Sequence, residues 1–342
     1  MEANFDVATM DLPWEKLEKS NVLVTGANGL IASDLVESLL EVNRVRDLGL
    51  TVWALCRNAD RARRRFSGQI ADPAFNLLVQ DVTEPLLDDV VFDYVVHAAS
   101  SACPSAFNKT PVDVMRANFN GTLNLLEMLS RQGGGRFMFI SSSEVYGENF
   151  EGKPLFNELD EGHVDFARFR ACYPESKRAS ETLCMSFRQH FEADIVIVRP
   201  AFIYGREIID SNDRADASFM RSALAGEDIV MYSRGDQIRS YLYVKDCSSA
   251  LLYTLLLGEG GGIYNIGDAT CAVSLRDYAS MLAHSAGVDL QFNCEAAPQD
   301  TVLLKTTRCV LDDKALRSLG WTPFFNLETG LADIFSSAKA VI

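Results

Sequence analysis

Short, uniformly apolar runs alternate along this chain with longer stretches whose apolar positions recur at helical spacing. Asn21-Val-Leu-Val-Thr25 reads as a strand, and Gly26 opens a turn into a helix that ends near Asn43. Further strands are expected at 50–55, 76–79, 93–97, 136–141 and 194–199. Helical patterns occupy 111–131 and 173–191, the second with Ala179, Leu183, Phe187 and Phe191 spaced by four on one face. Strands apolar throughout, each followed by a helix, describe a doubly wound α/β fold whose parallel sheet is covered on both faces. After Arg199 the alternation weakens. Residues 200–221 are rich in Asp, Arg and Asn, and helices are expected again at 272–283 and 311–320. The pattern divides into an N-terminal extension (1–19), a main α/β unit (20–200, with a return segment near 238–268), and a smaller α+β unit over most of 201–342. The smaller unit would close over the sheet's carboxyl edge, where ligands of such folds sit. In the extension, Trp14 and Leu17 are expected to dock on the body.

Composition narrows the function classes. Of 342 residues, 32 are Lys or Arg and 47 are Asp or Glu, a net charge of −15. Such a surface repels a phosphate backbone, which argues against nucleic-acid and anionic-membrane partners. The eight cysteines include no CxxC pair and the four histidines show no ligand spacing, so no metal site is expected. They read as reduced thiols of a cytoplasmic protein. The N-terminal residues show no signal-peptide pattern, and the longest apolar runs, such as 250–257, fall short of a membrane span.

The first strand runs into Val24-Thr25-Gly26-Ala27-Asn28-Gly29-Leu30-Ile31-Ala32. Glycines at a strand-to-helix turn let the backbone approach a pyrophosphate, whose charge the helix N-terminus favours. Gly26, Asn28, Gly29, Leu30 and Ile31 are therefore candidate dinucleotide contacts in a Rossmann-like unit. The second strand ends in Cys56-Arg57-Asn58, with no acid for a ribose hydroxyl, and Arg61, Arg63, Arg64 and Arg65 follow. These arginines are either a solvated helix start or a site for a 2′-phosphate; Arg57 tilts the expectation for NAD(P) towards NADP.

Tyr173 and Lys177 are four residues apart and so share one helix face. A lysine ammonium beside a phenol would favour the phenolate and lower its pKa towards that of a useful base. Ser141-Ser142-Ser143-Glu144 follows an apolar strand, placing hydroxyls and a carboxylate at its carboxyl end. Ser142, Ser143, Glu144, Tyr173 and Lys177 form the candidate catalytic set.

With these segments in this order, residues 20–325 resemble the extended short-chain dehydrogenase/reductase family of nucleotide-sugar epimerases, dehydratases and decarboxylases. The resemblance implies cofactor contacts at Asp81-Val82, at Ala98, Ala99 and Ser100 after His97, at Asn118 and at Arg199. It adds Asn265-Ile-Gly267 late in the chain and implies a homodimer built on the helices at 111–131 and 174–191. Within the family, Arg170-Ala-Cys-Tyr173-Pro-Glu-Ser-Lys177 and Ser142-Ser-Glu144-Val-Tyr-Gly are most similar to UDP-glucuronate decarboxylases. Departures stand at Phe202, Phe107 and Arg57, where those enzymes carry Asn, Tyr and an acid. The reaction implied is oxidation at sugar carbon 4 by tightly bound, recycled NAD(P), which by family habit is NAD, followed by decarboxylation. The alternatives are 4,6-dehydration or 4-epimerisation, a simple reductase, and a silent dinucleotide-binding scaffold. Ser143 stands where dTDP-glucose dehydratases have the Asp of an Asp-Glu pair, which favours decarboxylation. Arg239 and Arg308, with Arg206 and Arg214, are candidates for gripping a nucleotide-sugar diphosphate. Arg170 and Lys245 are candidates for the charge a uronate needs.

Overall fold

The computed structural model describes residues 5–86, 89–208, 212–296 and 307–339. Expectations for residues 1–4, 209–211, 297–306 and 340–342 lie outside the described residues. The first half follows the predicted alternation: β1 (Asn21–Thr25), α1 (Leu30–Arg46), β2 (Thr51–Cys56), α2 (Ala59–Arg65), β3 (Phe75–Val79), β4 (Tyr94–His97), α3 (Pro104–Lys109), α4 (Pro111–Arg131), β5 (Arg136–Ile140), α5 (Cys172–Phe191) and β6 (Asp194–Pro200). The second half contributes β7 (Phe202–Tyr204), α6 (Ala215–Leu224), β8 (Ile229–Met231), β9 (Ile238–Tyr243), α7 (Val244–Leu257), β10 (Ile263–Ile266), β11 (Ala272–Ser274), α8 (Leu275–Ala286), β12 (Leu290–Phe292), β13 (Arg308–Cys309), α9 (Lys314–Ser318) and α10 (Leu327–Lys339).

Seven strands form one parallel sheet in the order β10-β6-β5-β4-β1-β2-β3. Strand order reverses at β1, whose neighbours are β2 and β4, so the crevice at their carboxyl ends is the place for a ligand. One sheet face packs α4 and α5 through Leu125, Leu126, Leu129 and Phe187, all buried. The other is covered by α1 and α7, whose Leu35, Leu39, Leu251 and Leu255 are fully buried. The N-terminal extension docks as expected. Trp14 and Leu17 are buried, and the Trp14 indole donates to the Met10 carbonyl at 3.0 Å.

The differences from expectation have local causes. Helix α1 runs three residues beyond Asn43, to Arg46, and stops where Asp47 adopts φ 53°. The helix expected over 272–283 starts only at Leu275, because 272–274 pair with β9 and Ser274 caps the helix by accepting from the Asp277 amide. The helix expected over 311–320 shrinks to Lys314–Ser318, since Leu311 bridges to Phe156. The return segment splits: β10 joins the large sheet, whereas β9 forms a second small sheet with β7, β11 and β13. Helix α7 was visible only as an apolar run, because almost its whole circumference is buried and no polar face marks a period.

Candidate active site

A cleft of about 330 Å³ opens at the carboxyl ends of β1, β2, β4 and β5. Its floor begins at Gly26, where φ is +63°, a left-handed conformation that favours glycine. A Cβ there would stand 2.6 Å from the Ala99 Cα, so only glycine lets the first turn approach the turn after β4. Gly29 precedes α1, and Asn28, Gly29, Leu30 and Ile31 line the cleft where that helix's free N–H groups converge. Opposite them stand Asp81 and Val82, then Ala98, Ala99 and Ser100. The Ser100 hydroxyl is buried and finds no hydrogen-bond partner among the described residues, as expected of a wall shaped for a polar ligand. A glycine cradle, an unpartnered hydroxyl and a helix N-terminus together fit a dinucleotide.

At the far end, Ser142, Tyr173 and Lys177 reach the same cleft from the end of β5 and the first turns of α5. Lys177 is buried; its Nζ donates to the Ile140 carbonyl at 2.7 Å and lies 4.7 Å above the Phe139 ring. Burial pushes its pKa down to about 7. The Tyr173 phenol goes the other way, up to about 12, because it is buried and close to the Glu144 carboxylate. A hydrogen bond with Ser142 and the charges of Arg214 and Arg170 oppose that rise. Lys177, expected to lower the phenol's pKa, stands 5.9 Å from the ring centroid, and burial outweighs it.

Tyr173 is also held in a stack. Its ring lies 5.0 Å from that of Phe107 at 29°, and the Arg170 guanidinium sits 4.3 Å over the other ring. Arg170 donates through Nη2 to both oxygens of Glu144, at 3.1 and 3.3 Å, while its Nη1 is buried and has no hydrogen-bond partner among the described residues. Ser143 does not line the cleft: it is buried and hydrogen-bonded with the Cys309 thiol.

Other expected residues sit elsewhere. Arg199 is not at the cleft. Its guanidinium is taken up by both oxygens of buried Glu181, at 3.0 and 2.6 Å, and by the Tyr146 hydroxyl at 3.0 Å. Asn118 is fully buried behind the cleft, donating to the Ser176 hydroxyl at 2.8 Å. Of the arginines assigned to substrate, Arg214 lines the cleft and pairs with Asp216 at 3.6 Å. Arg239 stacks over Phe202 at 4.3 Å, and Arg308 donates to the Pro154 carbonyl, both outside the cleft lining. Arg206 and Lys245 face a separate cavity of about 170 Å³ beyond Leu30, where Lys245 pairs with Asp333 at 2.8 Å. Arg57 and Arg61 both border the main cleft; Arg65 is tied to Glu37 at 2.6 Å. The sequence reading missed Gln80, Ser101 and Cys103, which line the cleft just past β3 and β4. Their position after parallel strands was the available signal. Among the described residues all eight cysteines are free, no cluster of His, Cys, Asp and Glu could hold a metal, and no helix is long and apolar enough to cross a membrane.

The fold and cleft define a dinucleotide-binding Rossmann-type protein of the short-chain dehydrogenase/reductase kind. Residues 22–267 match the NAD dependent epimerase/dehydratase family, and the chain belongs to it. It is 32% identical over 315 residues to UDP-glucuronic acid decarboxylase 5 of Arabidopsis thaliana, covering 91% of this chain and 86% of that protein. Among solved structures, the Bacillus cereus UDP-glucuronic acid 4-epimerase in complex with UDP-glucuronic acid and NAD has the same fold. Its TM-score is 0.79 at 23% identity, covering 94% of this chain and 100% of that one. The Thermus thermophilus UDP-glucose 4-epimerase complex with NAD gives 0.78 at 26% identity over the same shares.

Behind the cleft, burial and the neighbouring Lys177 charge push the His97 imidazole down to about 3. An unfolded histidine takes up its proton near pH 6.5. Its contribution to stability is therefore complete above pH 6.5 and is lost progressively as the pH falls towards 3. Urea unfolding of the wild type and of His97→Asn should show the stability gap between them shrinking by about 2 kcal/mol from pH 7 to pH 5. A gap that stays constant would show that His97 is not held neutral.

Proposed function

We propose that this protein is a nucleotide-sugar enzyme of the UDP-glucuronate decarboxylase type, working in the cytoplasm as a homodimer. The decarboxylase relatives support the substrate class, and the state of Glu144 is the observation that carries the reaction. It is the carboxylate in the candidate set, close to Tyr173, and both its oxygens accept from the Arg170 Nη2. The place of a second acid is taken by Ser143, turned towards Cys309. A 4,6-dehydration must remove the carbon-5 proton and protonate a leaving hydroxyl, which calls for free acid and base groups. Decarboxylation does not. Once carbon 4 is a ketone, the carboxylate on carbon 5 lies β to it, and the electrons of the breaking C–C bond flow into the carbonyl. Carbon 5 of the resulting enol then takes up one proton from solvent.

When bound, the cofactor supplies a nicotinamide that accepts the carbon-4 hydride and later returns it. Tyr173 acts as its phenolate, which the positive charge of a bound oxidised nicotinamide would favour against burial, and takes the carbon-4 hydroxyl proton. Ser142 donates to the developing carbonyl oxygen, and Lys177 holds the ribose side. The free Nη1 of Arg170 is a buried donor suited to the uronate carboxylate, and Arg214 stands in the cleft for the diphosphate. Residues 201–342 would supply most of the sugar side.

Incubation with UDP-glucuronate should release carbon dioxide and a UDP-pentose with no net consumption of NAD(P). Tyr173→Phe should lower that rate by about 10²–10⁴ with the fold intact. Water loss from an NDP-hexose, with UDP-glucuronate untouched, would establish a 4,6-dehydratase instead.

Arg57 and Arg61 at the cleft, with no acid at the end of β2, support NADP over NAD. Cofactor released from denatured protein should carry a 2′-phosphate; finding NAD alone reverses this preference.

The dimer reading rests on α4 and α5, which pack side by side and leave Val112, Met115, Phe119 and Met185 exposed. Pairing with the same helices of a second copy would bury them in a four-helix bundle. Sedimentation at micromolar concentration should give twice 37.8 kDa, and a monomer would exclude it.

A further inference from the structure

We propose that His97 is a positioning residue for the dinucleotide: through its Nδ1 it orients the Thr25 hydroxyl, which in turn fixes the backbone of Ala98 and Ala99 against the Gly26 turn. The inference rests on reading the cleft as the cofactor site and adds a residue outside its lining.

The strands set up the contact. Thr25 and His97 are the last residues of β1 and β4 and are register partners, so their side chains lie on one face at the sheet's carboxyl edge. A threonine hydroxyl has one proton and two acceptor lone pairs. The Thr25 Oγ1 accepts from the Ala98 and Ala99 amides, at 3.2 Å each, which occupies both lone pairs. Its proton is then committed to the His97 Nδ1 at 2.8 Å. The imidazole must therefore be an acceptor at Nδ1 and carry its proton on Nε2. That N–H faces the backbone of Ala117 and Asn118 in α4.

The ring cannot rotate away from this arrangement. Phe137 and Phe139 pack at 6.3 and 5.8 Å, and a Cβ on Gly121 of α4 would come 3.2 Å from its Cε1. Nor does it readily take a second proton, since it is fully buried near Lys177. The groups around it are thus the neutral Thr25 hydroxyl, the backbone of α4, two phenyl rings and one lysine. With an acceptor always at Nδ1, the amides of Ala98 and Ala99 both point at Thr25. The turn they form is then held where Gly26, lacking a Cβ, can close on it. If the acceptor is lost, the hydroxyl proton is free to turn towards one amide, and the turn under the dinucleotide loosens.

Substitutions separate this role from packing alone. Asparagine places its carbonyl oxygen near the position of Nδ1, whereas the longer glutamine reaches towards Nε2. Equilibrium dialysis of the full-length chain against NAD and NADP should give His97→Asn a dissociation constant within about threefold of wild type. His97→Gln and Thr25→Val should bind at least about tenfold more weakly, with Thr25→Ser restored, each measured well below its own melting temperature. Turnover of His97→Asn at saturating cofactor should stay near wild type, because the imidazole moves no proton. Equal binding by His97→Asn and His97→Gln, whether tight or weak, would overturn the proposal, and Thr25→Val matching wild type would do so even if His97→Gln did not fold. Failure of the wild type to bind either dinucleotide would instead remove the reading of the cleft on which the proposal stands.

Discussion

The site depends on one buried charge and the way it is satisfied. Arg199, near the end of β6, is one-tenth exposed and gives two of its guanidinium nitrogens to Glu181 of α5. Its third nitrogen donates to the Tyr146 hydroxyl and the Glu158 carbonyl. The Tyr146 hydroxyl donates onward to Asn265 of β10, whose amide nitrogen reaches the carbonyls of Phe156 and Asp312. An ion pair this deep is tolerable only when every donor is matched, and removing either partner would strand a charge. Because Glu181 lies on the helix of Tyr173 and Lys177, and Tyr146 follows Ser142–Glu144, the network locks both candidate catalytic segments to the central sheet and the C-terminal part of the chain. A residue expected at the cofactor thus serves the site from behind it.

Around Tyr173 the electrostatics are balanced. Burial and Glu144 raise the phenol, while Ser142, Arg170 and Arg214 pull it back. Lys177, placed under Phe139 and the Ile140 carbonyl, loses enough hydration to titrate near neutrality. The phenol and amine are therefore drawn towards opposite extremes of their usual ranges for the same reason, desolvation, which disfavours whichever form is charged. The helix spacing of Tyr173 and Lys177 was plain from the sequence. The direction of the phenol's shift was not, because it is set by the depth of burial and by the Glu144 carboxylate, which comes from another segment.

The first two hundred residues were legible almost element by element. Parallel strands buried on both faces must be apolar throughout, and the amphipathic helices between them repeat their spacing. Past Arg199 the reading failed where that coupling fails. Helix α7 is buried nearly all round, residues 272–274 are recruited into a strand by β9, and Leu311 is held out of the following helix by a bridge to Phe156. In each case a partner distant in sequence overrides the local pattern.

By itself, then, the sequence determined the α/β class, the Gly26 turn and the Tyr173–Lys177 helix face, since each is a matter of local geometry within a few residues. Tertiary structure decided which arginines reach the cleft, with Arg57, Arg61 and Arg214 in its lining and Arg170, Arg199, Arg206, Arg239 and Arg308 outside it. It also decided that Glu144 is paired and that Ser143 turns to Cys309. A long, charged side chain takes whatever partner the fold brings within a few ångströms, and that partner is fixed by the packing of remote elements rather than by neighbours along the chain.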